Sequence, residues 1–138
     1  MTFLRWFAVI LAVVVVILYA LSVRSVPAQI DYGVSFSKLQ ADQLGLDWKT
    51  TYRAVLDDLG VRKLRLAAHW PMVEPERDRY SWSALDFQLS EARAREAEVI
   101  LAVGRRLPRW PECHVPEWAQ KLPWEEQKAE LRAYITAV

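Results

Sequence analysis

The N-terminus of the chain carries a long apolar stretch, in which the 18 residues of Trp6–Val23 include no charge. A helix of this length rises about 27 Å, close to the ~30 Å hydrocarbon core of a bilayer. The pattern predicts a transmembrane helix or signal peptide within residues 1–24. A short linker at 25–29 and a globular domain at 30–138 are expected to follow.

Two fates are open for the N-terminal helix. The stretch is longer than the usual signal-peptide core, which favours a retained single-pass anchor. Val26-Pro27-Ala28 nevertheless has the small residues of a cleavage site after Ala28. Arg5 and Arg24 flank the stretch on opposite sides, so charge indicates orientation only weakly. We expect a membrane protein with an extracytoplasmic globular part, and secretion after cleavage near Ala28 is the alternative.

Beyond the linker, the apolar positions change from a strand pattern to a helix pattern. Alternation at Ile30–Phe36 predicts a first strand, and Lys38–Gly45 is interpreted as a loop. Asp47 is a candidate N-cap for a helix that Gly60 ends. The apolar stripe of this helix has helical spacing and consists of Trp48, Tyr52, Val55, Leu56 and Leu59.

The same succession is repeated in the middle of the chain. Val61–Ala67 is predicted to be the second strand, followed by a loop at His69–Tyr80 in which Pro71 and Pro75 block regular structure. Ser81 is the expected cap of a second helix. One face of that helix carries Trp82, Leu85, Leu89 and Ala92.

The last part of the chain predicts one more strand and one more helix. Glu98–Val103 is mostly apolar, as is typical of a strand buried on both faces. A loop with four prolines, Gly104–Pro123, separates it from a helix at Trp124–Val138. The resulting order, β-α-β-α-β-α, indicates an α/β fold with a parallel sheet.

Two parallel architectures compete, an open doubly wound sheet and a closed (β/α)8 barrel. The first strand-to-helix turn lacks the Gly-x-Gly-x-x-Gly pattern of dinucleotide binding, and no glycine-rich phosphate loop is present. The loops that follow the second and third strands are long, whereas the returns after the helices are short. Barrel enzymes build their sites from such loops, so we predict the first three βα units of a (β/α)8 barrel.

Composition excludes several kinds of partner. The net charge of +1 argues against nucleic acid, whose phosphates require a basic surface. The single cysteine, Cys113, excludes a disulfide framework and a cysteine-based zinc cluster. His114 beside it is not sufficient for a metal site, so no cofactor or metal is expected.

The second strand and its loop contain a recognisable pattern, made of Leu64-Arg65-Leu66, Trp70, Glu74-Pro75, Tyr80-Ser81-Trp82 and Leu85-Asp86. This pattern resembles the second βα segment of clan A glycoside hydrolases, in particular families 5, 39 and 42, and the resemblance covers about residues 30–118. The resemblance implies a barrel that acts on or binds carbohydrate. It also suggests that Glu74 and Glu76 belong to a structural loop rather than to an acid/base pair.

Three candidate site residues follow from this resemblance at the second strand. In the family, an arginine at the position of Arg65 lines the active site near the nucleophilic carboxylate. Arg65 also needs a partner on physical grounds, unless it is simply exposed at the strand end. His69 and Trp70 lie where sugar-binding residues are expected, although Trp70 equally fits the role of a plug at the barrel rim.

The third loop supplies further candidates, Arg105 and Trp110, together with Arg106 and Arg109. Clustered arginines bind the carboxylate of an acidic sugar such as a uronic acid through paired hydrogen bonds. In the alternative interpretation, they form ion pairs with Glu112 and Glu117 in a solvated loop.

The chain departs from the family in its catalytic residues. Retaining glycosidases use two carboxylates, which in this clan follow the fourth and seventh strands, the first usually as an Asn-Glu pair. The sequence contains no asparagine. We therefore expect an N-terminal fragment of a glycosidase that is inactive by itself, and the alternative is a small anchored α/β binding module without catalysis.

Overall fold

The computed structural model describes residues 2–22, 31–108 and 111–138. The chain divides into two compact units, Met1–Asp31 and Tyr32–Val138. The expected linker at 25–29, its cleavage site after Ala28 and the predicted start of the first strand at Ile30 lie outside the described residues.

The first unit contains one helix, α1 (Thr2–Ser22), whose 21 residues rise about 31 Å. The 18-residue window Arg5–Ser22 has a mean hydropathy of 2.3, and none of it is buried against protein. This helix is therefore long and apolar enough to cross a membrane, as the sequence pattern predicts.

The second unit is built on a three-stranded parallel sheet with the strand order β1-β2-β3. Its strands are β1 (Val34–Ser35), β2 (Lys63–His69) and β3 (Glu98–Gly104). The predicted second and third strands are thus present, while β1 is shorter than the alternation indicates. Gly33 allows β1 to approach β2, because a Cβ at this position would lie 2.9 Å from the Lys63 carbonyl oxygen.

Six helices belong to the described part of this unit. They are α2 (Lys38–Gln43), α3 (Trp48–Asp57), α4 (Trp70–Val73), α5 (Ser83–Ala94), α6 (Glu117–Gln120) and α7 (Trp124–Ala137). The helices α3, α5 and α7 correspond to the three predicted helices. The short helices α2, α4 and α6 correct the prediction, since each lies in a segment that was interpreted as loop.

Local capping explains where the helices begin. The Asp47 carboxylate accepts hydrogen bonds from the backbone N–H groups of Lys49 and Thr50, which confirms its predicted role as N-cap of α3. The N-cap residue of α5 is Trp82 and no side chain caps this helix, so the cap predicted at Ser81 is wrong.

One face of the sheet carries the core of the unit. The core-facing positions of β2 and β3 alternate along each strand, and α3, α5 and α7 pack against them. These strand positions are Leu64, Leu66, Ala68, Val99, Leu101 and Val103. All three long helices therefore cover the same side of the sheet.

The opposite face of the sheet is free of these helices. Parallel register aligns Ser35 with Arg65, Arg65 with Ile100, and Ala67 with Ala102 on this face. The Ile100 side chain is 70% exposed and Arg65 is also exposed. The third strand is consequently not buried on both faces in the described structure, contrary to the expectation from its apolar sequence.

The end of α5 has an unusual residue at its turn. The Ala97 N–H donates to the Ala92 carbonyl and the Glu96 N–H donates to the Arg93 carbonyl, which is the Schellman pattern. Glu96 occupies its left-handed position with φ +54°, whereas Gly45 has this role at the end of α2, with φ +71°. A glutamate side chain is strained in a conformation that glycine adopts freely.

Replacement of this residue tests the turn. We expect Glu96→Gly to raise the free energy of unfolding by about 0.5–1 kcal/mol, because it removes the left-handed strain. Guanidinium unfolding of the full chain in detergent micelles, followed by near-UV circular dichroism, measures this change. The control Glu98→Gly lies in extended β3 and lowers stability by about 0.5–1 kcal/mol. Equal destabilisation by both variants would contradict the assignment.

Candidate functional site

A concave pocket of about 260 Å³ lies on the sheet face opposite α3, α5 and α7, beside the end of β1 and the middle of β2. Because β2 begins and ends two residues later than the predicted Val61–Ala67, Arg65 lies within the strand and not at its end. The pocket is lined by Ser35, Phe36, Ser37, Arg65, Leu66, Ala67, Ala102 and Pro108. None of these lining residues is acidic, so Arg65 provides the only formal charge among them. The pocket therefore combines one cation from the middle of β2 with two hydroxyl groups from the end of β1.

Arg65 is held in the pocket by its neighbour on β1. Its Nε donates a hydrogen bond to Ser35 Oγ at 2.9 Å, across the register pair of the two strands. Within residues 31–108 and 111–138, Arg65 makes no ion pair, so the carboxylate partner expected from the sequence is not found there. The two terminal nitrogens of the guanidinium are thus left without a carboxylate partner in the described structure.

Trp70 lies on the side of the core rather than in the pocket. Its ring is fully buried, stacks on Tyr134 with centroids 5.6 Å apart and meets Trp118 edge to face at 5.8 Å. It therefore exposes no face to a sugar and follows the alternative interpretation, that of a structural plug.

A buried carboxylate fixes this plug. Glu74 is 1% exposed and accepts hydrogen bonds from Trp70 Nε1 at 2.7 Å and from the Asp78 backbone N–H at 2.9 Å. Its own carbonyl accepts a bond from Trp118 Nε1 at 3.2 Å. Both carboxylate oxygens of Glu74 thus accept hydrogen bonds from within the fold. This arrangement agrees with the structural loop that the resemblance implies. Glu76 is exposed and pairs with Arg79.

His69 does not line the 260 Å³ pocket but a smaller neighbouring cavity that it shares with His114. The two imidazole rings are 4.5 Å apart between centroids and nearly perpendicular, at 80°. Burial, reinforced by the proximity of His114, lowers the pKa of His69 to about 4, against a weaker hydrogen bond to the Ala67 backbone. Burial also lowers the pKa of His114.

The two described arginines of the third loop, Arg105 and Arg106, do not line the pocket. The Arg105 guanidinium lies over the Trp124 ring, 5.1 Å from its centroid, and Arg106 forms an ion pair with Glu112. The second of these contacts is one of the ion pairs expected for a solvated loop. Arg109 and Trp110 lie outside the described residues.

The sequence interpretation missed part of the site. No sequence motif marks Ser35 and Ser37, which are distinguished only by their position at the end of a short strand. In the sequence, Cys113 and His114 are two adjacent residues, which are not sufficient for a metal site. In the structure, the antiparallel bridge between Arg106 and Cys113 lies beside His114, and the His114 ring contacts His69. In the described parts of the chain, no group of three or more His, Cys, Asp or Glu side chains is arranged to hold a metal ion.

Comparison with known proteins does not extend these observations. No protein-family model matches the chain, and no curated protein matches it.

The structural role of Glu74 can be measured directly. We expect Glu74→Gln to lower the free energy of unfolding by about 1–3 kcal/mol, because the amide NH2 replaces an oxygen that accepts a buried hydrogen bond. Denaturant titration of the full chain in micelles measures this loss. Glu76→Gln is the matched control in the same loop, with an expected change below about 0.5 kcal/mol. Equal effects in the two variants would refute the assignment.

The buried His69 makes a second prediction, for pH dependence. Its folded-state pKa of about 4 lies below the ordinary value of 6.5, so the unfolded chain binds more protons between these values. The contribution of the neutral His69 to the free energy of unfolding is therefore fully present above pH 6.5. It falls by roughly 2 kcal/mol as the pH drops through this window. Unfolding of the full chain at pH 7 and pH 4.5 measures the loss, and His69→Asn is expected to reduce it. An unchanged pH slope in that variant contradicts the prediction.

Proposed function

We propose that Tyr32–Val138 forms barrel-type βα units of a glycoside hydrolase-like protein and binds carbohydrate at the Arg65 pocket. The observation that carries the proposal is the position of this pocket on the sheet face opposite α3, α5 and α7. It extends from the middle of β2 to the carboxyl end of β1 and the loop that follows β3. In (β/α)8 barrels, the carboxyl end of the sheet holds the ligand site. The resemblance to clan A glycosidases independently assigns Arg65 to it.

The barrel architecture is supported by the arrangement of the sheet. The strands follow one another in chain order, and all three long helices lie on one face. A barrel places its helices outside the sheet in this way, whereas a doubly wound sheet carries helices on both faces. The long segments between β2 and α5 and between β3 and α7 add to this support, since ligand sites are built from such loops.

The chemistry of the pocket favours an acidic sugar. The Arg65 guanidinium lacks a carboxylate partner among the described residues, and a uronic acid supplies one in a bidentate geometry. Ser35 and Ser37 supply hydroxyl groups for the sugar hydroxyls. Arg105 and Arg106 do not take this role, because Arg105 lies over the Trp124 ring and Arg106 pairs with Glu112.

Binding without hydrolysis is the activity proposed for these residues. Glycoside hydrolysis needs two carboxylates at the scissile bond, and none of the described residues that line the pocket is acidic. This observation favours the second candidate, an anchored α/β binding module, for the chain taken by itself. Glycosidase activity is proposed only for a barrel that supplies two carboxylates to this pocket.

For the location, we propose a single-pass membrane protein. The helix α1 acts as the anchor and the globular unit is extracytoplasmic, where polysaccharides are accessible. Secretion after cleavage near Ala28 is the alternative. Protease protection of the full chain in sealed vesicles shows on which side of the membrane the globular unit lies.

A binding experiment tests the proposed function. The full chain in lipid nanodiscs is titrated with a tetramer of galacturonic acid and with a neutral cellotetraose. We expect the acidic tetramer to bind at least about tenfold more tightly, since a charge-assisted hydrogen bond contributes about 1.5–3 kcal/mol. Arg65→Gln is expected to abolish this preference, and the control Arg93→Gln, at an exposed position on α5, is expected to retain it.

Three outcomes contradict the proposal. Absence of binding of both tetramers at millimolar concentration excludes a carbohydrate site of this kind. Equal losses in Arg65→Gln and Arg93→Gln indicate non-specific attraction of the anion. Release of sugar from an activated aryl glycoside by the chain contradicts the assignment of binding without hydrolysis.

A further inference from the structure

The strongest feature outside the Arg65 pocket is the pair of histidines at the end of β2. His69 is the last residue of the strand and is 6% exposed, while His114 is half-buried on the loop that follows β3. The Arg105 carbonyl accepts a hydrogen bond from the His114 N–H at 2.9 Å, which fixes the backbone of this loop. Two separate segments thus bring both histidines of the chain into contact.

We propose that His69 and His114 form a two-imidazole binding site for a divalent transition-metal cation, and that Cu²⁺ is the ion it binds most tightly.

The separation of the rings fits a shared ion. With a metal–nitrogen distance of about 2.1 Å, each ring centroid lies about 3.2 Å from the metal. Two imidazoles at 90° to one another then have centroids about 4.5 Å apart, and a tetrahedral angle gives about 5.2 Å. The rings of His69 and His114 are 4.5 Å apart. The separation is thus within the range that one shared ion requires, and its lower end is the geometry of tetragonal Cu²⁺ and Ni²⁺ sites.

The surroundings of the rings are suited to metal binding. Both imidazoles favour the neutral form that ligates metals, because burial lowers the pKa of each.

The remaining coordination positions have polar groups beside them. The cavity that both rings line is also lined by Ser37, Gln40 and Gln43, and it contains no charged residue among the described ones. The side-chain oxygens and water are the available further ligands. Because only two strong ligands are present, we expect an affinity in the micromolar range, with copper preferred over zinc and nickel by the general order of divalent affinities.

The experiment uses the untagged full chain in micelles at pH 7.5, in a Cys113→Ser background that prevents oxidation of the exposed thiol. The chain has only two histidines, so every imidazole signal comes from this pair. Titration with Cu²⁺ is expected to give one ion per chain. Pulsed electron paramagnetic resonance is expected to detect two imidazole nitrogens coupled to the same ion.

Variants complete the test. We expect His114→Asn to lower the Cu²⁺ affinity at least about tenfold and to leave the coupling of a single imidazole. With protein at micromolar concentration, 100 µM total Cu²⁺ is about a hundredfold excess. Absence of bound Cu²⁺ under this condition overturns the proposal. So does a spectrum of the Cys113→Ser chain that shows one imidazole or none, and this second readout does not depend on the folding of any histidine variant.

Discussion

The buried carboxylate of Glu74 is the constraint on which the end of the sheet depends. A carboxylate removed from water is costly unless hydrogen bonds replace its hydration. Trp70 and the Asp78 backbone provide these bonds, and they can do so only if the chain turns sharply after β2. The same turn places Trp70 between Tyr134 and Trp118, so that α6 and α7 are attached to the end of the strand.

This constraint separates structural from functional positions along one short segment. Ala68 and Trp70 face the core, and the Tyr134 hydroxyl donates to the Ala68 carbonyl at 2.5 Å. Arg65 and His69 alternate with them and belong to the opposite side of the strand, where the cavities lie. Because side chains alternate between the two faces of a strand, one set of β2 residues packs in the core and the other set faces the cavities.

Much of the fold follows from the sequence because its signals are local. The Asp47 cap, the apolar run of β3 and the stripe of α3 from Trp48 to Leu56 each lie within one segment and predict it well. Leu59, which was expected on the same stripe, lies beyond the end of α3 and is exposed. The short helices α2, α4 and α6 were missed because four to six residues do not establish a helical period. The site was harder to predict, since the burial of Trp70 and the contact between His69 and His114 depend on packing between distant segments.

We propose that the ligand binds on the sheet face opposite α3, α5 and α7, and not on the face that these helices cover. Nuclear magnetic resonance of the full chain in nanodiscs, with and without an acidic tetrasaccharide, tests it most directly. We expect chemical-shift changes concentrated at Ser35, Arg65 and Ala102, with the residues of α5 unaffected. Changes confined to the helices, or spread evenly over the exposed arginines and lysines, would show that the ligand does not bind at this face.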